Sequence, residues 1–121
     1  HTFAANWSAD DALEATNQLL KLKDRPTAIV VASDPMVLGV YKALNDAKVN
    51  IPNDISVASF DDVEINRFLT PTLSSIDMNT EEMGKATIRL AKDLITEKIP
   101  IPLTITCHST FNKRDSITSL N

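Results

Sequence analysis

Two segments of this chain follow one plan: a short apolar run that ends in acid and leads into a turn or helix signal. The first is Ala28-Ile29-Val30-Val31-Ala32-Ser33-Asp34-Pro35 and the second is Ile55-Ser56-Val57-Ala58-Ser59-Phe60-Asp61-Asp62. Runs of this length and make-up read as buried parallel strands. In an open α/β sheet, ligands bind outside the carboxyl ends of such strands. Carboxylates at two of those ends therefore point to a polar, hydroxyl-rich or cationic ligand.

At 121 residues the chain holds one domain at most, with 43% apolar and 23% charged residues in the range of ordinary globular proteins. The net charge of −4 and scattered Lys and Arg supply no basic face for nucleic acid. A single cysteine, Cys107, excludes an intrachain disulfide and argues against a metal cluster, which favours a reducing compartment. No apolar stretch has the length of a membrane span. The N-terminus, His1-Thr2-Phe3-Ala4-Ala5-Asn6, has neither the basic nor the apolar region of a signal peptide and does not start with Met, so the chain reads as processed or truncated.

Ser8-Ala9-Asp10-Asp11 is a helix start, with Ser8 as cap and acids at the positive end of the helix dipole. Ala12, Leu13, Thr16, Leu19 and Leu20 follow at helical spacing, and Asp24-Arg25-Pro26 ends the element. After a strand over 28–32, Asp34 is expected to cap a helix running from Pro35 to about Lys48 that buries Val37 or Leu38, Tyr41 and Leu44. A loop over 49–54 precedes the second strand, 55–60. Residues 62–70 read as a short helix or ordered loop, and 73–77 as a third strand. Asn79-Thr80-Glu81-Glu82 reads as a capping box opening a long helix to about Lys98, with Met83, Ala86, Thr87, Leu90, Ala91, Leu94 and Ile95 on one face and Pro100 and Pro102 ending it. A last strand is expected over 103–108, and the polar tail from Asn112 is expected to fray. This order implies an α/β fold, a mainly parallel sheet flanked by helices. Neither Gly39 nor Gly84 belongs to a phosphate-cradling loop.

Each candidate side chain has a structural alternative. Asp61 and Asp62 could accept hydrogen bonds from ligand hydroxyls, hold magnesium as a pair, or serve as a cap with a solvated neighbour. Asp34 reads mainly as a helix cap, while Ser33 could face the ligand or bond the backbone. Trp7 is either a hydrophobic staple on the first helix or a flat platform for a sugar ring. Cys107 and His108 are adjacent on a strand and so face opposite ways, which disfavours a dyad. No serine lies in a nucleophile elbow.

Three linked motifs then narrow the reading. Pro26 to Gly39, Ile51-Pro52-Asn53-Asp54-Ile55-Ser56-Val57-Ala58-Ser59-Phe60-Asp61-Asp62, and Leu69 to Ile76 followed by Glu82-Met83-Gly84 closely resemble the effector domain of the LacI/GalR family of bacterial transcription repressors. The resemblance runs from Trp7 to Thr110 in one register. It implies one half of a periplasmic-binding-protein-like type I fold, in which two α/β subdomains enclose the effector. Residues 7–78 and 103–110 would form the C-subdomain. The helix over 79–100 would belong to an N-subdomain that, like the helix-turn-helix, lies outside this chain. Without that partner the helix face is expected to self-associate or fold back.

By the same resemblance Trp7, Ser33, Asp61 and Met78 line the effector cleft, with Asp61 taking two ring hydroxyls. Ser33 departs from the family's usual asparagine, and Thr80 stands where relatives carry a cleft aromatic. Asp10, Met36, Arg67, Phe68 and Leu69 would lie on a homodimer interface. The implied function is sensing of a sugar or related metabolite by a cytoplasmic regulator that binds operator DNA through its absent N-terminal domain. That function needs no catalytic residue, cofactor, metal or membrane. The competing readings are a sugar-binding protein of a transport system and a magnesium-dependent receiver or phosphatase domain built on Asp61 and Asp62.

Overall fold

The Ser8 hydroxyl accepts hydrogen bonds from the Asp10 and Asp11 amides at 3.2 and 3.3 Å, so the expected cap opens the first helix. In the computed structural model, which describes residues 1–96 and 103–119, this helix, α1, spans Ala9–Leu19. It turns Ala12, Thr16 and Leu19 inward, with Leu13 and Leu20 half-buried. The second helix, α2, spans Asp34–Asp46 and buries Val37, Val40, Ala43 and Leu44, whereas Leu38 is exposed and Tyr41 half-buried. The two helices cross at Gly39, where a β-carbon would lie 1.8 Å from the Ala9 carbonyl oxygen. Only a hydrogen fits there.

The sheet has four strands in the order β1-β2-β3-β4. They are β1 (Ala28–Val30), β2 (Ser56–Phe60), β3 (Ser74–Asp77) and β4 (Thr110–Asn112). The first three are parallel, in the registers Ile29 to Val57 and Ser59 to Ser75, and β4 runs antiparallel with Asn112 opposite Ser75. The core lies between α2 and the sheet, centred on Val37, Leu44, Val57 and Leu73, all fully buried. Each such side chain contributes about 1.5–3 kcal/mol.

Four expectations need correction. The first strand is not buried on both faces: β1 is an edge strand, and Val30 is 71% exposed. The last strand is not at 103–108, which carries no strand pairing; pairing begins at Thr110. The tail from Asn112 does not fray over its described residues, 112–119. Ser116 is fully buried, its hydroxyl donating to the Val57 carbonyl at 2.6 Å and accepting from the Ser74 amide at 2.8 Å. Its carbonyl accepts from the Val57 amide at 2.8 Å. Ser116 thus wedges between β2 and β3 one step before their own pairing begins at Ala58 and Ser74.

The fourth correction concerns the third helix, α3 (Thr80–Ile95), which has no capping box. Asn79 adopts left-handed backbone (φ 54°), its side-chain amide donates to the His108 carbonyl at 3.3 Å, and Glu82 pairs with Lys85. No residue of α3 is buried, so among the described residues its apolar face is neither folded back nor covered. The end expected at Pro100 and Pro102 lies outside the described residues.

Candidate functional site

Parallel pairing of β1, β2 and β3 brings their carboxyl ends to one edge of the sheet, where the chemistry-bearing residues gather. Ser33 follows β1 in extended backbone and occupies the N-cap position of α2, but its side chain makes no capping bond. Its hydroxyl donates instead to Asp61 Oδ2 at 2.8 Å. The sequence-predicted pair is therefore in direct contact across 28 residues of chain. Asp61 is exposed, leaving Oδ1 open to solvent-borne donors.

Asp34 is not the helix cap. It is the first helical residue and points inward, 1% exposed. Its Oδ1 accepts from the Ser59 and Ser75 hydroxyls, the latter at 2.8 Å. Its Oδ2 accepts from the Val63 amide at 2.8 Å and from the Asn66 side-chain amide at 2.6 Å. A buried carboxylate is tolerable only when its lone pairs are met in this way. Asp34 thereby ties the start of α2 to β2, β3 and the short 3-10 helix Glu64–Arg67, the ordered element expected over 62–70. Ser59, Ser75 and Asn66 carried no sequence signal beyond the alternation that puts Ser59 on the covered face of β2.

Asp61 and Asp62 both have positive φ, 103° and 50°. Non-glycine residues rarely sit there, and aspartate tolerates it better than most. The turn is held by the Asp61 amide donating to the Ile76 carbonyl at 2.9 Å and the Asp62 amide donating to the Ser75 hydroxyl at 3.1 Å. The Asp62 carboxylate is fully engaged: Arg114 grips Oδ1 at 2.6 Å and Oδ2 at 3.1 Å, and the Asn112 amide donates to Oδ2 at 2.7 Å. Burial pushes the Asp62 carboxyl up, but the hydrogen bonds from Arg114 and Asn112 outweigh it and hold it below its ordinary 3.8. The same hydrogen bond raises the Arg114 guanidinium above its usual range. Asp62 is thus unavailable as half of a metal pair. Arg114 and Asn112 escaped the sequence reading, although Asn112, Arg114 and Ser116 alternate at the period of a strand face.

Trp7 is 74% exposed with φ 59°, so it is no staple on α1. Met78 is 36% exposed, two residues beyond the Phe60–Ile76 pair and so level with the acidic turn. Thr80 opens α3 and is exposed. Of the residues expected on a dimer surface, Asp10, Arg67 and Phe68 are exposed, Phe68 by 72%. Leu69 is half-buried against the core, and Met36 is buried within it, 8% exposed. Phe68, Leu69, Tyr41, Ile51 and Pro71 line a groove of about 530 Å3. Cys107 and His108 lie on the stretch before β4, where the His108 carbonyl accepts from the Asn79 side chain.

A family model described as a periplasmic binding protein-like domain matches residues 2–117. The transcriptional repressor PurR of Mannheimia succiniciproducens is 33% identical over 95% of this chain and 34% of its own length. The lactose operon repressor of Rhizobium radiobacter is 40% identical over 71% of this chain and 73% of its own. A LacI family regulator from Arthrobacter, solved in complex with lactose, superposes with a TM-score of 0.84 at 26% identity, covering 94% of this chain and 43% of that one. The chain thus spans about a third of the length of the PurR relative. Together with the parallel sheet and the acidic turn at its carboxyl edge, these matches establish that the chain belongs to the periplasmic binding protein-like domain family, among its LacI-type transcriptional regulators.

Proposed function

We propose that this chain is the effector-sensing part of a LacI-type transcriptional regulator and that the Asp61 carboxylate takes hydroxyls of a sugar or related polyhydroxylated metabolite. One observation carries the reading: at the carboxyl edge of the sheet, Asp61 is an exposed carboxylate, oriented by Ser33 and left with an open oxygen. Asp34 and Asp62, the acids beside it, are consumed by internal partners. An ionised acceptor of this kind gains about 1.5–3 kcal/mol from a well-aligned hydroxyl pair. The exposed Trp7 ring offers an apolar platform of the kind sugars stack on, and Met78 a wall level with the turn.

Calorimetric titration with lactose, ribose and cellobiose tests the assignment. Asp61→Ala should weaken binding of the responsive sugar about tenfold or more, and an unchanged isotherm would remove Asp61 from the site.

The rest of the regulator's activity follows the family. Binding shifts the population between operator-competent and operator-incompetent states, with DNA contacted by a separate helix-turn-helix. No catalysis, cofactor or membrane enters, and the setting is cytoplasmic. Residues 7–78 form one subdomain together with β4 and the segment to Ser116, in place of the expected 103–110, and α3, with no buried residue, packs on the other. Asp10, Arg67, Phe68 and Leu69 lie on the homodimer face. The groove beside Phe68, of mixed polar and apolar lining, supports this, because an exposed phenylalanine that seats in the partner's equivalent groove is satisfied twice across a two-fold axis. Sedimentation of Phe68→Asp should show the dimer dissociating.

A further inference from the structure

From the end of β4 onward the chain reaches back to the acidic turn. Arg114 is 16% and Asp62 7% exposed in their side chains, and the pair is closed by a fork from NH1 and NH2 to both carboxylate oxygens. NH1 also donates to the Leu73 carbonyl at 2.6 Å, and the Arg114 amide donates to the Ser74 hydroxyl at 2.8 Å. Asn112 adds a third bond to the same carboxylate. These residues hold the second acid of a turn whose first acid, Asp61, stands in backbone that aspartate seldom adopts. Two successive positive φ values occur in type I′ turns, where glycine usually takes at least one of the two places; with aspartate at both, contacts from outside the turn help to hold the conformation. The bonds from Asn112 and Arg114 are side-chain contacts to the turn from a segment roughly 50 residues away.

We infer that Arg114 and Asn112 are positioning residues for the ligand carboxylate: by gripping Asp62 they fix the turn that presents Asp61, without touching ligand themselves. This deepens the proposed function and rests on Asp61 being the ligand contact. The C-terminal segment is then part of the binding device, and ligand affinity responds to substitutions remote from the cleft.

Hydrogen exchange on the 121-residue chain tests this without any ligand, so its outcome is separate from that of the Asp61 titration. Three amides report on the turn, because Asp61, Asp62 and Val63 each donate a hydrogen bond, to Ile76, Ser75 and Asp34 respectively. Arg114→Gln should speed exchange at these amides about tenfold or more while amides of α1 and α2 keep their rates. Arg114→Lys keeps the charge but not the fork, so it should restore part of the protection. Asp62→Asn, which keeps the shape of the side chain, should loosen the same three amides and serves if Arg114→Gln does not fold. Unchanged exchange at 61–63, or acceleration equal to that across α1 and α2, overturns the inference.

Discussion

The Ser33 hydroxyl and the Asp61 carboxylate meet at 2.8 Å, while Asp34, the next residue after Ser33, turns away into the core. Neighbours in sequence thus serve opposite ends of the same edge, one toward ligand and one toward scaffold. Substitution should separate them. Ser33→Ala removes an exposed contact and should change unfolding free energy by no more than about 0.5 kcal/mol. Asp34→Ala strands the Ser59 and Ser75 hydroxyls, the Val63 amide and the Asn66 side chain in the interior. It should cost about 3–5 kcal/mol, a large share of the ~5–15 kcal/mol that holds a domain together. Urea denaturation of the two variants side by side measures the contrast, and equal midpoints would return Asp34 to the role of a simple cap.

Gly39 is set by a different constraint. Its φ is not positive, so backbone freedom is not the reason for it. The reason is the approach of α1, with the Ala9 carbonyl oxygen and the Leu13 amide nitrogen at 1.8 and 2.8 Å from any β-carbon. Both are backbone atoms that cannot rotate aside. Gly39→Ala gains helix propensity of about 1 kcal/mol but forces the helices apart, and overpacking costs about 1–3 kcal/mol or more. The net effect should be a lower thermal midpoint; a higher one would mean that α1 slides without loss.

Stability should fall at both ends of the pH range for identifiable reasons. Asp62 is held below its ordinary 3.8 in the folded state, so its contribution is present above that value and is lost as pH falls through the folded value. Tyr41 moves the other way. Burial pushes its hydroxyl up to about 12 from 10.0, so the neutral phenol, donating to the Pro71 carbonyl at 3.0 Å, favours folding below 10.0. That contribution is lost as pH rises from 10.0 toward about 12. Melting curves of wild type and Tyr41→Phe should converge at alkaline pH, and Asp62→Asn should flatten the acid limb.

Strands and helices were legible because each carries a period. Val57 and Ser59 alternate inward along β2, and Ala12, Thr16 and Leu19 recur along α1. The placement of Asp61 beside Ser33 at the sheet edge was legible because each follows a strand of a parallel sheet; its role toward a ligand is a proposal. What escaped was polar and non-local. Asn112, Arg114 and Ser116 read as a fraying tail because composition says polar, and only the partners waiting on β2, β3 and the acidic turn bury them. Asp34 followed by Pro35 carries a strong capping signal, and its four interior donors overrode it. The Asn79 box failed similarly, since Asp77 already holds the Asn79 amide at 2.7 Å and leaves the cap in left-handed backbone.

Asn66 offers a test whose sign depends on pH. It is fully buried, and its side-chain amide donates to Asp34 Oδ2 at 2.6 Å. Asn66→Asp keeps the shape but replaces that donor with a second carboxyl facing the first. At neutral pH two buried carboxylates would share one site, and the variant should lose about 3–5 kcal/mol. Burial and the like charge both push the introduced carboxyl upward, so it regains a proton well above the usual carboxylate range. Once protonated it can again donate to Asp34. Asn66→Asp should therefore gain stability as pH falls from 7 toward 5, the reverse of the direction that Asp62 imposes on the wild type. Urea midpoints at the two pH values decide it, and a variant that weakens with acid would show that Asn66 does not hold the Asp34 carboxylate through a donated hydrogen.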